Sequence, residues 1–254
     1  MQKRIACAFM LATVVSFAAA EAPYFGRWKA NPSKGDMGST QLTYSRVGGD
    51  ELQETQDGKS YKFKVDGKPY PIPPPVEMTA AWKQVDSNTW EVTYRKNGNV
   101  VAIDTTKLSA DGNTLSTTSK TVESKDVLGG SIVLHRTGGG PGLLGTWKGT
   151  PVLDSFILEV LPYQSDGLIF RVPDRFETKA LFDGKPHPMT GPMASKGSTA
   201  AFTKSGPRSF ETKQLTPGEP PMTATVTVSS DGKTLTEVAQ IGALKRTWVF
   251  DRQP

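Results

Sequence analysis

The second half of this chain is a copy of the first. Gly26-Arg27-Trp28-Lys29 returns as Gly145-Thr146-Trp147-Lys148, and Asp66-Gly67-Lys68-Pro69-Tyr70-Pro71 as Asp183-Gly184-Lys185-Pro186-His187-Pro188. Thr79-Ala80-Ala81-Trp82 returns as Thr199-Ala200-Ala201-Phe202, and Ser109-Ala110-Asp111-Gly112 as Ser229-Ser230-Asp231-Gly232. Each copy closes on an apolar run ending in arginine, Ile132 to Arg136 and then Trp248 to Arg252. Matches in one order at a spacing of roughly 120 residues mark a tandem duplication, so any fold for one copy must serve for both. The expected organisation is one domain over residues 21–136, a Gly-rich connector over 137–142 and a second domain over 143–254. Thr137-Gly138-Gly139-Gly140-Pro141-Gly142 has little side chain to pack, and such runs behave as flexible connectors.

Residues 1–20 read as a secretory signal peptide. Lys3 and Arg4 give the positive start, Ile5 to Phe17 the apolar stretch, and Ala18-Ala19-Ala20 the small-residue cleavage site. The stretch falls short of the ~20 residues that a membrane span needs, and nothing later approaches one. A periplasmic or secreted chain is therefore expected. A lipoprotein anchored through Cys7 fits less well, because the apolar run follows that cysteine instead of preceding it. Cys7 is the single cysteine, so after cleavage no disulfide is possible and packing alone must hold each domain. The full chain carries a net charge of +5, part of it from Lys3 and Arg4, and the remainder is spread without a basic run. Nucleic-acid binding needs a concentrated basic footprint and is not expected.

Within each copy the hydrophobic period is two. Tyr61, Phe63 and Val65 alternate with Lys62 and Lys64; Trp90, Val92 and Tyr94 alternate with Glu91 and Thr93. Met222, Ala224, Val226 and Val228 alternate with Thr223, Thr225 and Thr227. This pattern puts one face of a strand on a core and the other in water. Asp57-Gly58, Asn97-Gly98, Asp111-Gly112 and Asp231-Gly232 supply hairpin turns between such runs. No capped segment of helical period occurs. An all-β fold follows, with about eight short strands in copy one joined mostly by tight turns. A meander of that length leaves two exposed edges unless it closes, which predicts two tandem antiparallel up-and-down barrels; two β-sandwiches are the alternative.

Gly-x-Trp at the head of such a meander resembles the lipocalin and wider calycin signature. In that family the tryptophan of the first strand packs across the closed end of the barrel, under an arginine from the last strand. The resemblance implies that Trp28 pairs with Arg136 and Trp147 with Arg252 as barrel floors, through cation–π stacking. The fuller string in copy one, Gly-x-Trp-Lys-x-Asn-Pro-x-Lys followed by Asp-Gly-Lys-x-Tyr-Pro and Ser-x-Asp-Gly-x-Thr-Leu, resembles a group of uncharacterised exported bacterial lipocalin-like proteins. It implies fold and export and carries no activity. Copy two departs from it, with Gly149-Thr150-Pro151 for Ala30-Asn31-Pro32 and His187 for Tyr70.

The Asp-Gly-Lys-Pro-Tyr/His-Pro segment must be a rigid loop, since proline cannot donate to a ladder. It either presents Tyr70 and His187 to a ligand at a barrel rim or is a stiffened turn packed on its own barrel, and the second reading leads. The two histidines, His135 and His187, occupy non-equivalent positions, so no histidine-based metal site is expected and no cofactor is implied. His187 and Asp183 are spaced to form an acid–base couple, yet a triad lacks its third member. Carboxylates are scattered, and no pair is fixed by spacing. Trp82, Trp90 and Tyr94, with Phe202 and Phe210 in copy two, read as core or as cavity lining. The function expected is an exported binding protein holding a small apolar or amphipathic ligand in a β-barrel. A protein- or glycan-interaction module with self-filled barrels, and a hydrolase using His187, are the alternatives.

Overall fold

A computed structural model describes residues 22–56, 58–72, 78–122 and 129–254. The expected signal peptide, Asp57 and Pro73-Pro74-Pro75 lie outside the described residues. The first repeat contributes β1 (Gly26–Ala30), β2 (Thr40–Gly48), β3 (Glu51–Gln56), β4 (Lys59–Phe63), β5 (Tyr70–Pro71), β6 (Met78–Asp86), β7 (Thr89–Lys96), β8 (Asn99–Leu108), β9 (Thr114–Thr121) and β10 (Gly130–Gly138). The second contributes β11 (Gly145–Leu153), β12 (Ile157–Tyr163), β13 (Gly167–Val172), β14 (Phe176–Leu181), β15 (His187–Thr190), β16 (Thr199–Gly206), β17 (Ser209–Leu215), β18 (Met222–Val228), β19 (Thr234–Ile241) and β20 (Leu244–Arg252). Every pairing is antiparallel, and no helix occurs among the described residues. None therefore is long and apolar enough to cross a membrane.

The strands form two meanders, but each has given its first strand to the other. The closed barrel runs β1-β12-β13-β14-β15-β16-β17-β18-β19-β20, and the second sheet runs β4-β3-β2-β11-β10-β9-β8-β7-β6-β5. Thus β1 of repeat one closes barrel two, between β12 and β20. In exchange β11 of repeat two lies in barrel one, between β2 and β10. The chain crosses between barrels twice, through residues 31–39 and 154–156. Loop closure explains the choice of partner: β10 and β11 are joined through a few glycines, whereas β1 is about a hundred residues from β10, so the hairpin is the cheaper and faster pairing. The expected connector over 137–142 is accordingly corrected: 137 and 138 belong to β10, and the remaining glycines lie within the β10–β11 hairpin.

Barrel one is nearly closed, with its gap between β4 and β5, although these strands follow one another in sequence. In barrel two the corresponding pair is joined, Glu177 to Thr190 and Thr178 to Met189. The sequences differ at this point: Pro73-Pro74-Pro75 stands where Thr190-Gly191-Pro192 stands in copy two, and prolines have no N–H to offer a neighbouring strand.

The repeated motifs meet at the floor of each barrel. The guanidinium of Arg252 lies 4.1 Å from the Trp28 ring centre, and that of Arg136 lies 4.1 Å from Trp147. This corrects the expected pairing: because the first strands are exchanged, each tryptophan meets the arginine of the other repeat. Arg252 Nε donates to the Gly232 carbonyl at 2.6 Å, and Arg136 Nε to Gly112 at 2.7 Å, so the Ser-x-Asp-Gly turns supply the acceptors. Other guanidinium nitrogens donate to the carbonyls of Pro23 and Phe25, or of Gly140, Gly142 and Leu144. The motif glycines are required by space, since a Cβ on Gly26 or Gly145 would stand 2.7 Å from an arginine Nη1. Both tryptophans are fully buried, and each indole N–H donates to the carbonyl four residues earlier, Tyr24 or Leu143, at 3.0 Å. On the outer surface Arg27 of β1 pairs with Glu159 of β12 at 2.9 Å.

Two experiments test this arrangement. In a Cys7→Ser background, Arg27→Cys with Glu159→Cys should oxidise to an intramolecular disulfide, because the two residues are register partners. Arg27→Cys with Thr43→Cys should not, although Thr43 pairs with the equivalent Thr146; cross-linking of that second pair would show unexchanged barrels. Arg252→Lys should lower the unfolding free energy by about 2–3 kcal/mol in denaturant titrations, because an ammonium cannot span the carbonyls that the planar guanidinium fork engages.

Candidate functional site

Inside barrel one is a cavity of about 220 Å³. Its walls are the inward faces of the alternating strands: Leu42 and Tyr44 on β2, Glu54 and Gln56 on β3, Trp82 on β6, Val92 and Tyr94 on β7, Asp104 and Thr106 on β8. Register assembles its polar wall. Tyr44, Glu54 and Tyr61 stand side by side on β2, β3 and β4, and Val92, Asp104 and Ser119 on β7, β8 and β9. Trp82 Nε1 donates to the Tyr61 hydroxyl at 2.9 Å, which donates in turn to Glu54 Oε2 at 3.1 Å.

Burial pushes the Glu54 carboxyl up to about 7; hydrogen bonds from Tyr61 and Tyr44 oppose that rise, and the nearby Asp104 adds to it. Asp104 is raised as well, chiefly by burial, with Ser119 and Tyr94 hydrogen-bonding to it. Its Oδ1 is buried without a hydrogen-bond partner among the described residues. The phenols of Tyr44, Tyr61 and Tyr94 are all raised, first by burial and then by the adjacent carboxylates. The wall is completed from outside the barrel by Arg246 of β20, whose Nε is buried and has no hydrogen-bond partner among the described residues.

A second space of about 540 Å³ lies between the two barrels beside the β4–β5 gap. Ile72 lines it from barrel one, and Pro220, Ile241, Ala243 and Leu244 line it from barrel two. It shares Glu54, Gln56 and Arg246 with the inner cavity. Lys59 and Glu219 form an ion pair across it.

Barrel two is filled differently. Trp28, Phe170, Phe202, Phe210 and Phe250 make an aromatic core with Tyr24 against Phe210 at 5.1 Å. The Glu237 carboxyl of β19 is buried in this barrel, and burial holds it up at about 7. The Thr178 and Thr212 hydroxyls and Trp248 Nε1 are likewise buried without hydrogen-bond partners among the described residues.

The residues picked out from sequence divide among these places. Trp82 and Tyr94 line the barrel-one cavity. Trp90 is buried nearer the Trp147 end of the same core, beside Leu143 and Leu144. Phe202 and Phe210 do not line an open cup; both are fully buried in the packed core of barrel two. Tyr70 and His187 take equivalent structural parts. Tyr70 donates from its hydroxyl to Asp66 Oδ2 at 3.0 Å, and His187 Nε2 lies 3.2 Å from Asp183 Oδ1. In each loop the aspartate also accepts the backbone N–H two residues on, and the glycine N–H donates to the carbonyl of Trp82 or Phe202. These are proline-stiffened turns locked onto their own barrels. No sequence spacing pairs Glu54 with Asp104. The available signal was their position, on the inward phase of β3 beside Leu52 and of β8 beside Leu108.

No protein-family model, curated protein or solved structure matches the chain.

A carboxyl that titrates near 7 when folded and near 4.5 when unfolded keeps its proton only in the folded chain between those values. Each such group therefore lowers stability as pH rises through that window. Glu237→Gln should raise the unfolding free energy at pH 8 by about 3 kcal/mol and leave it nearly unchanged at pH 4. Denaturant titrations at the two pH values check this, and an equal effect at both would contradict a neutral buried Glu237.

Proposed function

We propose that this chain is an exported binding protein, of the periplasm or cell exterior, that takes the head of a small amphipathic ligand into barrel one. The observation that carries this reading is the barrel-one cavity adjoining a largely apolar cleft beside the gap between β4 and β5. A cavity of this size lies below the ~300–1,000 Å³ of sites for drug-sized ligands and well above the ~30 Å³ share of one water. It suits a compact head group, and the cleft offers its tail an apolar bed between the barrels. Barrel two, packed with its own aromatic side chains, serves as the second wall of that cleft. The lipocalin-like resemblance of the Gly-x-Trp motif points the same way, since closed meanders of this kind hold small ligands.

Native mass spectrometry of freshly purified protein should show a bound small molecule, and a panel of single-chain amphiphiles should quench or shift tryptophan fluorescence through Trp82. Ile132→Trp, which fills the cavity from β10, should abolish both signals while the chain remains folded. A folded Ile132→Trp variant that binds as well as the parent would remove barrel one from the reading.

A further inference from the structure

Resting on the reading of barrel one as the ligand site, we infer that the head group it accepts is a small organic ammonium ion. Three observations converge on this chemistry. The cavity holds two carboxylates, Glu54 and Asp104, on opposite stretches of the same meander. Their hydrogen-bonding neighbours are hydroxyls, Tyr44 and Tyr61 for one and Tyr94 and Ser119 for the other, so among the described residues no cation is hydrogen-bonded to either. Asp104 Oδ1 is wholly buried and unpartnered among the described residues, an acceptor without a donor.

The remaining wall is part aliphatic, from Leu42, Val92, Ile132 and Leu134, and part aromatic. Tyr44, Tyr94 and Trp82 line the space, and Tyr61 is tied into it through Trp82 and Glu54. Aromatic rings with adjacent carboxylates favour a weakly hydrated ammonium, which cation–π attraction holds best in a desolvated site. A hard metal ion needs several converging oxygens, and no group of three or more metal-binding side chains occurs among the described residues. The groups facing Glu54 are Tyr44 from β2, Tyr61 from β4, Tyr94 from β7, Asp104 from β8 and Arg246 from β20. Arg246 is the one positive charge, and it stands where cavity and cleft share their lining. An anionic head would stop there, whereas an ammonium would pass into the barrel and leave its alkyl chain in the cleft.

Calorimetric titration of the whole protein with octyltrimethylammonium, octanol and octanoate tests this. At pH 8 the ammonium should bind at least tenfold more tightly than either control. Its affinity should fall about tenfold or more at pH 5.5, because Glu54, titrating near 7, then holds a proton that the cation must displace. Glu54→Gln combined with Asp104→Asn should bring the ammonium to the level of octanol, and each single variant, measured separately, should show part of that loss. Octanoate binding as tightly as the ammonium, with the loss falling on Arg246→Gln, would overturn the inference, as would an ammonium preference that survives in the carboxylate variants. Binding of octanol or octanoate that Ile132→Trp abolishes, without any preference for the ammonium, would defeat this inference alone and leave barrel one as the ligand site. Absence of binding by all three probes would defeat both.

Discussion

The clasp of an arginine over a buried tryptophan is the interaction on which both barrels depend. It gathers the first strand, the last strand and the turn before the penultimate strand into one contact at the barrel floor. Arg252 covers Trp28 and reaches the Gly232 carbonyl, and Arg136 does the same with Trp147 and Gly112. A planar guanidinium suits this place because one face lies on the indole while its edge N–H groups serve several carbonyls. The glycine two residues before each tryptophan is there because a side chain would occupy the space of the guanidinium. Three motifs far apart in each repeat are thus the parts of one joint.

Exchange of the first strands turns that joint into the link between the repeats. Trp28 belongs to the first copy and Arg252 to the end of the second, so the barrel-two floor is also the closure between the two ends of the chain. The interface of the barrels is thereby covalent at two crossings, with Lys96 donating to the Pro192 carbonyl and Lys34 pairing with Asp251 as further ties. The crossings hold the barrels side by side, and the cleft lies between them.

Duplication started the two barrels alike, and their interiors have diverged. Barrel two filled its inside with phenylalanines and closed its sheet. Barrel one kept Tyr44, Tyr61 and Tyr94 with two carboxylates and left a gap between β4 and β5. The difference between Tyr70 and His187, conspicuous when the copies are aligned, is neutral in structure, because each side chain locks the same aspartate turn. The consequential differences are the unpaired β4 and β5 and the polar residues on inward positions of the strands of copy one. Burying Glu54 and Asp104 costs stability, and that cost is borne in the barrel that has a cavity.

The sequence alone determined the all-β class, the duplication and the inward faces. Those properties are local: a period of two sorts each strand's side chains, and Asn97-Gly98 turns its hairpin with both residues at positive φ, 50° and 83°. It also marked Trp28, Trp147, Arg136 and Arg252 as floor residues, and Trp82 and Tyr94 as candidates for a lining. Which tryptophan meets which arginine was beyond it, since both repeats carry the same motif and either pairing satisfies the same chemistry. Only the tertiary structure chose, because a glycine hairpin joins β10 to β11 locally before a distant strand can compete. The site was illegible for the same reason: Glu54 and Asp104 are fifty residues apart and unrelated by spacing. They share a cavity only once register has carried both around the wall of one barrel.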